Sequence, residues 1–310
     1  MTFVLRAILV SLAFFALLYS VLSVLLVVTW RGLRLCHLQK YIGVRGLFTL
    51  RVIPFVISAA VSLFLTLPSF LLFERHSLDE DLGTFVLCGC AVLILGTGLY
   101  RVLAAEARTR RVVSAFLESA VGLQDDEVTP EIISAQSITP LMLVGIREPR
   151  ILISASACKV LTDGELQAAV RHEKAHFRSR DNLKKAILNC LSFPGMASLK
   201  EAWQEASELA ADDSAVSSRT EALDLASALI KLARHFPCPA MPDLATGLMS
   251  GVASVSSRVE RLLAWKESSA LTSYRTRYVA AVVLIAFFGL AVKLGPALVW
   301  VHSLTERLVP

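Results

Sequence analysis

Four apolar segments constrain the fold of this chain more than any other feature of its sequence. Each is long enough to cross the hydrocarbon core of a bilayer, which takes about 20 residues of helix. Hydrophobic residues make up 55% of the chain and the mean hydropathy is +0.61, both above the range of ordinary soluble domains. We therefore predict a mainly α-helical membrane protein with four transmembrane helices, at about 7–30, 52–73, 82–104 and 278–301.

Two other interpretations of these segments agree less well with the sequence. Helices in the core of a soluble protein would not need charged residues at the flanks of all four segments. A signal peptide is the alternative for the first segment, but its apolar run is longer than a signal core. No small-residue cleavage pattern closes that run before Trp30 and Arg31, so we expect a helix that is retained.

The distribution of basic residues predicts the topology. The 31–51 loop holds five Lys or Arg residues, whereas the 74–81 loop holds four acidic residues and one arginine. Loops rich in Lys and Arg stay in the cytoplasm, so we expect a cytoplasmic domain over 105–276 and both termini outside. The basic residues concerned are Arg31, Arg34, Lys40, Arg45, Arg51, Arg101, Arg108, Arg110, Arg111, Lys266, Arg275 and Arg277.

Three parts of the chain follow from this arrangement. Residues 1–104 hold three transmembrane helices, 105–276 form the cytoplasmic domain, and 277–310 hold the fourth helix and a short tail. Membrane topology accounts for the net charge of +5, so we expect contact with the lipid bilayer and no nucleic-acid partner. Lys293 interrupts the fourth segment, either as a functional charge within the membrane or as a side chain that reaches its surface.

The polar domain is predicted to be mostly helical, with one small β-hairpin. Apolar runs at 141–146 and 150–154 flank a proline turn, which predicts the hairpin. An exposed hairpin edge would let an extended peptide add as a strand, and plain scaffolding is the equal alternative. Thr162 and Glu165 have the spacing of a capping box, so a helix is expected over 163–180. Further helices are predicted near 183–193, 198–216, 220–235 and 255–267.

A metal-binding motif lies inside the helix predicted over 163–180. The segment His172-Glu-Lys-Ala-His176 has the HExxH pattern. Two histidines four residues apart point the same way from a helix, so both can bind one Zn²⁺ ion. Glu173 would lie beside this metal without binding it, where it can take a proton from the activated water. The motif predicts a zinc hydrolase with Glu173 as its general base.

The third zinc ligand is expected on the helix near 198–216. Glu201, Glu205, Glu208 and Asp212 follow one another at steps of four, three and four residues, which places them on one helix face. A solvated acidic stripe is one interpretation, and a face turned toward a cation is the other. Glu208 is the preferred ligand because an aspartate one turn later can hold a zinc-bound histidine in place. Glu205 is the main competitor.

Supporting roles have several candidates. Asp181 and Asp212 are candidates for hydrogen bonds to the zinc-bound histidines, and surface carboxylates are the alternative for each. His235 or Arg219 is a candidate to stabilise the oxyanion of the tetrahedral intermediate. For His235, a cation near a helix C-terminus is the competing interpretation.

Four segments of the sequence resemble those of a known family. The segments are Arg147-Glu-Pro-Arg-Ile-Leu-Ile153, HEKAH with Phe177-Arg-Ser-Arg-Asp181 after it, Glu208-Leu-Ala-Ala-Asp212, and Arg258-Val-Glu-Arg-Leu-Leu263. Their order is similar to that of the BlaR/MecR-type membrane zinc metallopeptidases, which are gluzincin-like and related to the HtpX and CAAX-protease type. The resemblance covers about 139–235, with the last segment beyond it.

The resemblance implies a zincin-like cytoplasmic domain between the third and fourth helices. It maps the zinc ligands onto His172, His176 and Glu208, and the catalytic base onto Glu173. It implies an endopeptidase in regulatory signalling, with a transcriptional repressor as one candidate substrate. A quality-control protease of the HtpX type, and a signalling or scaffold protein that no longer cleaves, are the alternatives. The best-known members carry a β-lactam-binding sensor after the fourth helix, and this sequence ends at Pro310, so we expect any signal to arrive through the helices or a separate sensor protein.

Overall fold

Long apolar helices dominate the first half of the chain. The computed structural model describes residues 3–37, 42–73, 82–117, 121–123, 131–135, 140–236, 244–246, 255–266 and 303. The described residues within Met1–Leu35 and Val52–Thr97 belong to one unit, and those within Cys36–Arg51 and Gly98–Glu267 belong to a second unit. The first unit holds most of the apolar helices and the second holds the HEKAH segment.

Three of the predicted transmembrane segments are confirmed as long apolar helices. Helix α1 spans Phe3–Leu35, α2 spans Val44–Val61 and continues through a π-helical turn at Ser62–Thr66 into α3, Leu67–Phe73, and α4 spans Leu82–Leu117. The stretches Val4–Leu35, Val44–Leu71 and Leu82–Ser114 are long and apolar enough to cross a membrane. The predicted fourth helix at 278–301, with Lys293, and the acidic 74–81 loop lie outside the described residues.

Helices α1 and α2 pack through aromatic rings and a buried hydroxyl. Phe55 lies edge-on to Phe15 and Tyr19, with ring centroids 5.6 and 6.0 Å apart. The Ser62 hydroxyl donates to the Ser11 carbonyl at 2.5 Å, which satisfies a polar group within an apolar helix pair. Large apolar side chains cover the outer faces, for example Val28, Phe64 and Leu93, each more than 60% exposed. Such a surface suits hydrocarbon rather than water.

The second unit contains a five-stranded sheet in the order β1-β2-β4-β3-β5. The predicted hairpin is present as β3 and β4, which pair antiparallel through a turn where Gly145 has a φ of +92°. It is part of a larger sheet, so the prediction of a lone hairpin was wrong. Strand β2 pairs parallel with β4, β1 pairs antiparallel with β2, and β5 pairs antiparallel with β3. The strands are β1 Val121–Leu123, β2 Glu131–Ala135, β3 Leu141–Val144, β4 Arg150–Ser154 and β5 Ala245–Thr246.

Six further helices follow α4 in the described part of the second unit. The five that the sequence predicts are present within a few residues of the expected bounds, and α5 is an additional short helix. They are α5 Ala155–Val160, α6 Asp163–Ser179, α7 Asp181–Cys190, α8 Ala197–Ala215, α9 Arg219–His235 and α10 Val255–Leu263. The capping box is confirmed, because the Thr162 hydroxyl accepts from the Glu165 amide at 3.4 Å and the Glu165 carboxylate accepts from the Thr162 amide at 2.8 Å.

Helix α6 runs through the centre of this unit. Its buried alanines, such as Ala168 and Ala169, allow close contact with the sheet and with α9, where Leu225 and Leu229 are fully buried. Helix α8 packs along another side of α6. Because α6 is enclosed on several sides, the polar residues of its HEKAH segment must find their partners within the protein. The five cysteines in the described ranges are free thiols.

Candidate metal centre

Helices α6 and α8 bring three potential ligands together. His172 and His176 lie one turn apart on α6, and Glu208 lies on α8; all three are buried. The two histidine Nε2 atoms are 3.2 Å apart. Glu208 places Oε2 at 3.4 Å from His172 Nε2 and Oε1 at 3.6 Å from His176 Nε2. Within the described chain, these ligand atoms all lie within 4.8 Å of one another.

These distances fit a tetrahedral zinc ion. Zinc with bonds of about 2.0–2.2 Å holds neighbouring tetrahedral ligands about 3.3–3.5 Å apart, close to the three separations observed. Hydrogen bonding alone explains the histidine pair poorly. Asp212 lies 2.9 Å from His172 Nδ1 and Asp181 lies 2.7 Å from His176 Nδ1, so a proton on each Nδ1 would leave the two Nε2 atoms with lone pairs that face each other. A cation between them resolves that conflict.

Two aspartates orient the histidines. Asp212 Oδ1 lies 2.9 Å from His172 Nδ1, and Asp181 Oδ2 lies 2.7 Å from His176 Nδ1. Ser207 also donates to Asp181 at 2.7 Å. Burial alone would raise the pKa of each aspartate, but contact with its histidine lowers it, so both carboxylates stay ionised. Carboxylates in this position fix the tautomer of a metal-binding histidine and strengthen it as a ligand.

A sharp turn between α6 and α7 places Asp181. Arg180 joins the two helices with a left-handed backbone at φ 54°, a conformation that costs a residue with a side chain about 1–2 kcal/mol. The turn sets the first residue of α7 back against the last turn of α6, where His176 lies. The local strain is therefore tied to the geometry of the site.

Glu173 is held by the sheet. Its Oε2 atom accepts from the Leu143 amide of β3 at 3.1 Å. No donor among the described residues reaches Oε1, although the side chain is completely buried. Burial raises the pKa of Glu173, partly opposed by the two nearby histidines. A carboxylate that is anchored through one oxygen and open at the other is suited to proton transfer.

Arg258 is a site residue to which sequence analysis assigned no role. It lies on α10, is only 2% exposed, and donates to Asp212 through Nε at 2.8 Å and Nη2 at 2.6 Å. Its Nη1 atom lies 3.2 Å from Glu208 Oε2. The sequence feature that could have identified Arg258 is its place on the apolar stripe of Val255, Val259 and Leu262, because a charge on a buried helix face needs a partner.

Lys185 is the second buried cation in this region. It lies on α7, and its ammonium donates to the Ala245 carbonyl of β5 at 2.7 Å. Burial lowers its pKa, opposed by Glu208 and Asp181. Four buried carboxylates, those of Glu173, Glu208, Asp181 and Asp212, face these two buried cations. Lys184, which is partly exposed, also pairs with Asp181 at 3.0 Å. The carboxylates therefore still exceed the nearby cations, and a metal ion would add positive charge among them.

The acidic face predicted on α8 does not share one environment. Glu208 and Asp212 are buried, whereas Glu201 and Glu205 are exposed, so the interpretation of four carboxylates turned toward a cation was wrong. The buried face of α8 changes along its length: Leu199 and Trp203 are buried in the first half, and Ser207, Glu208 and Asp212 in the second. Glu205 therefore lies outside the group formed by the histidines and Glu208.

The two candidates for the oxyanion role lie elsewhere. Arg219 and His235 are exposed at opposite ends of α9, and the structure gives this role no support. The His235 ring donates to the Lys231 carbonyl at 2.8 Å. That bond agrees with the competing interpretation of His235 as a group at a helix C-terminus.

A cavity of about 790 Å³ opens beside His176. The β3–β4 turn forms one wall and the junction of α6 with α7 forms the other. Asn182 joins the two walls, because its amide donates to the Leu143 and Gly145 carbonyls. The expected exposed edge of β3 is covered by β5 at Leu143 and Val144, so that expectation was wrong at these positions.

Comparison with known proteins agrees with this geometry. The family model described as BlaR1 peptidase M56 matches residues 52–262, more than half of the chain, and the match includes HEKAH, Glu208, Asp212 and Arg258. A search of curated proteins found no match. The apolar helices account for the membrane character of the protein, and the buried ligand group fits the metal that a metallopeptidase needs. The chain therefore belongs to the BlaR1 peptidase M56 family of membrane metallopeptidases.

Proposed function

We propose that this protein is a zinc-dependent endopeptidase of the cell membrane that cleaves a cytoplasmic or membrane-proximal protein. The observation that carries the proposal is the group formed by His172, His176 and Glu208, with Glu173 open at one oxygen beside it. His172, His176 and Glu208 would hold the metal. When bound, zinc supplies a Lewis acid that polarises the scissile carbonyl and lowers the pKa of water.

The protein's own residues supply the proton transfers. Glu173 removes a proton from the attacking water while the water oxygen adds to the carbonyl carbon of the peptide bond. Glu173 then delivers that proton to the leaving nitrogen as the carbon–nitrogen bond breaks. The raised pKa of Glu173 makes it a stronger base than an exposed glutamate. Its bond to the Leu143 amide keeps the carboxylate in position between these two transfers.

The cavity beside His176 is the proposed substrate cleft. A peptide there lies between the β3–β4 turn and the α6–α7 junction. Exposed arginines surround this opening, among them Arg147, Arg178 and Arg180, which favours substrate segments that carry acidic residues.

The sequence supports a membrane topology for the proposed enzyme. The basic residues on alternate sides of the apolar segments support a cytoplasmic catalytic domain with both termini outside. The resemblance to the family supports a regulatory role in which a transcriptional repressor is cleaved. Cysteine accessibility in intact cells would test the topology, with labels placed in the 74–81 loop and in an exposed part of α9.

Glu173→Gln tests the catalytic proposal directly. The variant should retain about one zinc per chain, and its cleavage of a proteome-derived peptide library should fall by about 10²–10⁴-fold, the usual contribution of a general base. Glu205→Gln makes the same chemical change at an exposed position and should cleave normally. Undiminished cleavage by the Glu173 variant would refute its role as the base. Absence of cleavage by the wild-type protein in the presence of zinc would favour the non-cleaving alternative.

The metal ligands have their own test. His172→Ala and Glu208→Ala should each lose stoichiometric zinc, as measured by elemental analysis of purified protein. Normal zinc content in both variants would show that the ligand set is wrong. A comparison of cellular proteins between wild type and Glu173→Gln would identify the substrate, because the uncut protein accumulates only in the variant.

A further inference from the structure

A second cavity in the same unit shares no lining residue with the metal centre. Its volume is about 500 Å³, and helices α2, α4, α7 and α8 contribute to its walls. Its described lining residues include four basic side chains and no acidic one. The four basic residues are Arg51, Arg101, Arg108 and Lys200.

The four cations converge from three helices. Arg101 and Arg108 lie two turns apart on α4, so they project from the same face. Arg51 of α2 is buried and donates to the Leu191 carbonyl, which fixes its guanidinium at the cavity wall. Lys200 of α8 donates to Asn189 at 2.6 Å. The convergence of four basic side chains on one cavity gives it a positive potential that attracts anions.

The start of α8 adds to the positive potential of this cavity. Gly195, Met196 and Ala197 line it, and α8 begins at Ala197 without a side-chain cap from Met196. The first turn of a 19-residue helix carries amide groups and the positive end of the helix dipole. Together with the arginines, it forms a setting that suits a phosphate group.

Chain continuity relates the cavity to the membrane surface. Arg51 immediately precedes the apolar segment 52–73, and Arg101 and Arg108 follow the apolar part of α4. Arginines at such positions lie at the level of phospholipid headgroups. Membrane topology alone requires only exposed charges at the level of the phospholipid headgroups. It does not explain a buried arginine or the convergence of four cations on one cavity.

We propose that this cavity is a binding site for a phosphate group. Two sources share this chemistry: the headgroup of an anionic phospholipid and a soluble phosphate compound. The position of the arginines beside the apolar segments favours the lipid. Arg51 and Lys200 form fixed walls through their hydrogen bonds, and the exposed Arg101 and Arg108 close on the phosphate oxygens as charged hydrogen-bond donors.

Binding to the full chain in detergent tests the site. The probes are dioctanoyl-phosphatidylglycerol, dioctanoyl-phosphatidylcholine and inorganic phosphate, each titrated while bound lipid or thermal unfolding is measured. We expect saturable binding of phosphatidylglycerol that weakens as salt is raised. In the double variant Arg101→Gln/Arg108→Gln, affinity should fall by about tenfold for each arginine lost, the usual worth of a hydrogen bond to a charged group.

Arg110→Gln is the matched control. Arg110 lies on the same helix, pairs with Glu106 at 2.6 Å and does not line the cavity. Because Arg101, Arg108 and Arg110 are all exposed, none of these substitutions should disturb folding, and unfolding without ligand should be unchanged.

The outcomes separate the possible ligands. Phosphatidylglycerol binding without phosphate binding supports a lipid headgroup, and equal binding of inorganic phosphate supports a soluble ligand. Equal affinity for phosphatidylcholine would overturn the proposal, because that lipid carries no net charge. Equal affinity of the double variant and the Arg110 control for phosphatidylglycerol would overturn it as well.

Discussion

Asp212→Asn is the sharpest test of how the metal centre is supported. The substitution keeps the shape of the side chain and removes its charge. Asp212 is 1% exposed, and its oxygens face three donors: His172 Nδ1 at 2.9 Å, and Nη2 and Nε of Arg258 at 2.6 and 2.8 Å. Asparagine has one oxygen and one NH₂ group, so in either orientation its NH₂ group meets at least one of these donors.

Two magnitudes follow from this geometry. Loss of one partner from a buried ion pair costs about 3–5 kcal/mol, which for a unit of this size lowers the unfolding temperature by roughly 6–20 °C. Loss of the carboxylate that orients a metal-binding histidine weakens metal affinity by about 10–100-fold, or roughly 1.4–2.7 kcal/mol. We expect Asp212→Asn to show both effects.

The neighbouring residue provides the control. Asp213 is exposed and pairs with the exposed Arg261 at 2.6 Å, an interaction worth about 1 kcal/mol or less. Zinc affinity is measured by competition with a coloured chelator, and stability by thermal unfolding with excess chelator. If Asp212→Asn and Asp213→Asn bind zinc within about twofold of each other, the support assigned to Asp212 is wrong.

Three further predictions concern other parts of the protein. Burial alone would raise the pKa of Glu165, but the Lys231 ammonium at 2.7 Å outweighs it and the pKa is lowered. The stability from this pair is therefore present above pH 4.5 and is lost as the pH falls below that value. The difference in unfolding temperature between wild type and Glu165→Gln should stay constant from pH 7 down to about pH 4.5 and shrink below it. A difference that stays constant below pH 4.5 would contradict this. Gly98→Ala should destabilise the protein by about 1–3 kcal/mol, because the added methyl group would overlap the Cys190 carbonyl. In Gly96→Ala the added methyl group meets no atom, so this variant should stabilise its helix by about 1 kcal/mol. Denaturation of both variants should therefore give changes in unfolding free energy of opposite sign. Protein that is equilibrated with free zinc at about 100 times the Kd for zinc should lose about 2.7 kcal/mol of stability when the zinc is removed. Equal unfolding temperatures with and without chelator would argue against a bound metal.

Sequence alone predicted the parts of this protein that depend on local spacing. Three apolar helices follow from their length, and the capping box at Thr162 follows from a three-residue interval. The HExxH pattern placed His172 and His176 on one face because the helix repeat is fixed. Glu208 was preferred over Glu205 because Asp212 lies one turn beyond it, and the structure buries the first and exposes the second.

Features that depend on distant contacts were missed. Arg258 meets Asp212 across 46 positions of sequence, and nothing local identifies the carboxylate that a buried arginine will meet. Strands β1 and β5 have three and two residues, too short for an alternating pattern to show. Arg101 and Arg108 were interpreted only as topology signals, because their convergence with cations from other helices appears only once those helices are packed.

Helix α8 has a mechanical consequence for the metal centre. Its first turn borders the basic cavity, and Glu208 lies eight residues after Lys200, about 12 Å along the axis at 1.5 Å per residue. Backbone hydrogen bonds link successive turns of an α-helix, so a displacement of the first turn along the axis would also displace Glu208. In the proposed zinc-bound enzyme, such a displacement would change the distance between Glu208 and the metal ion.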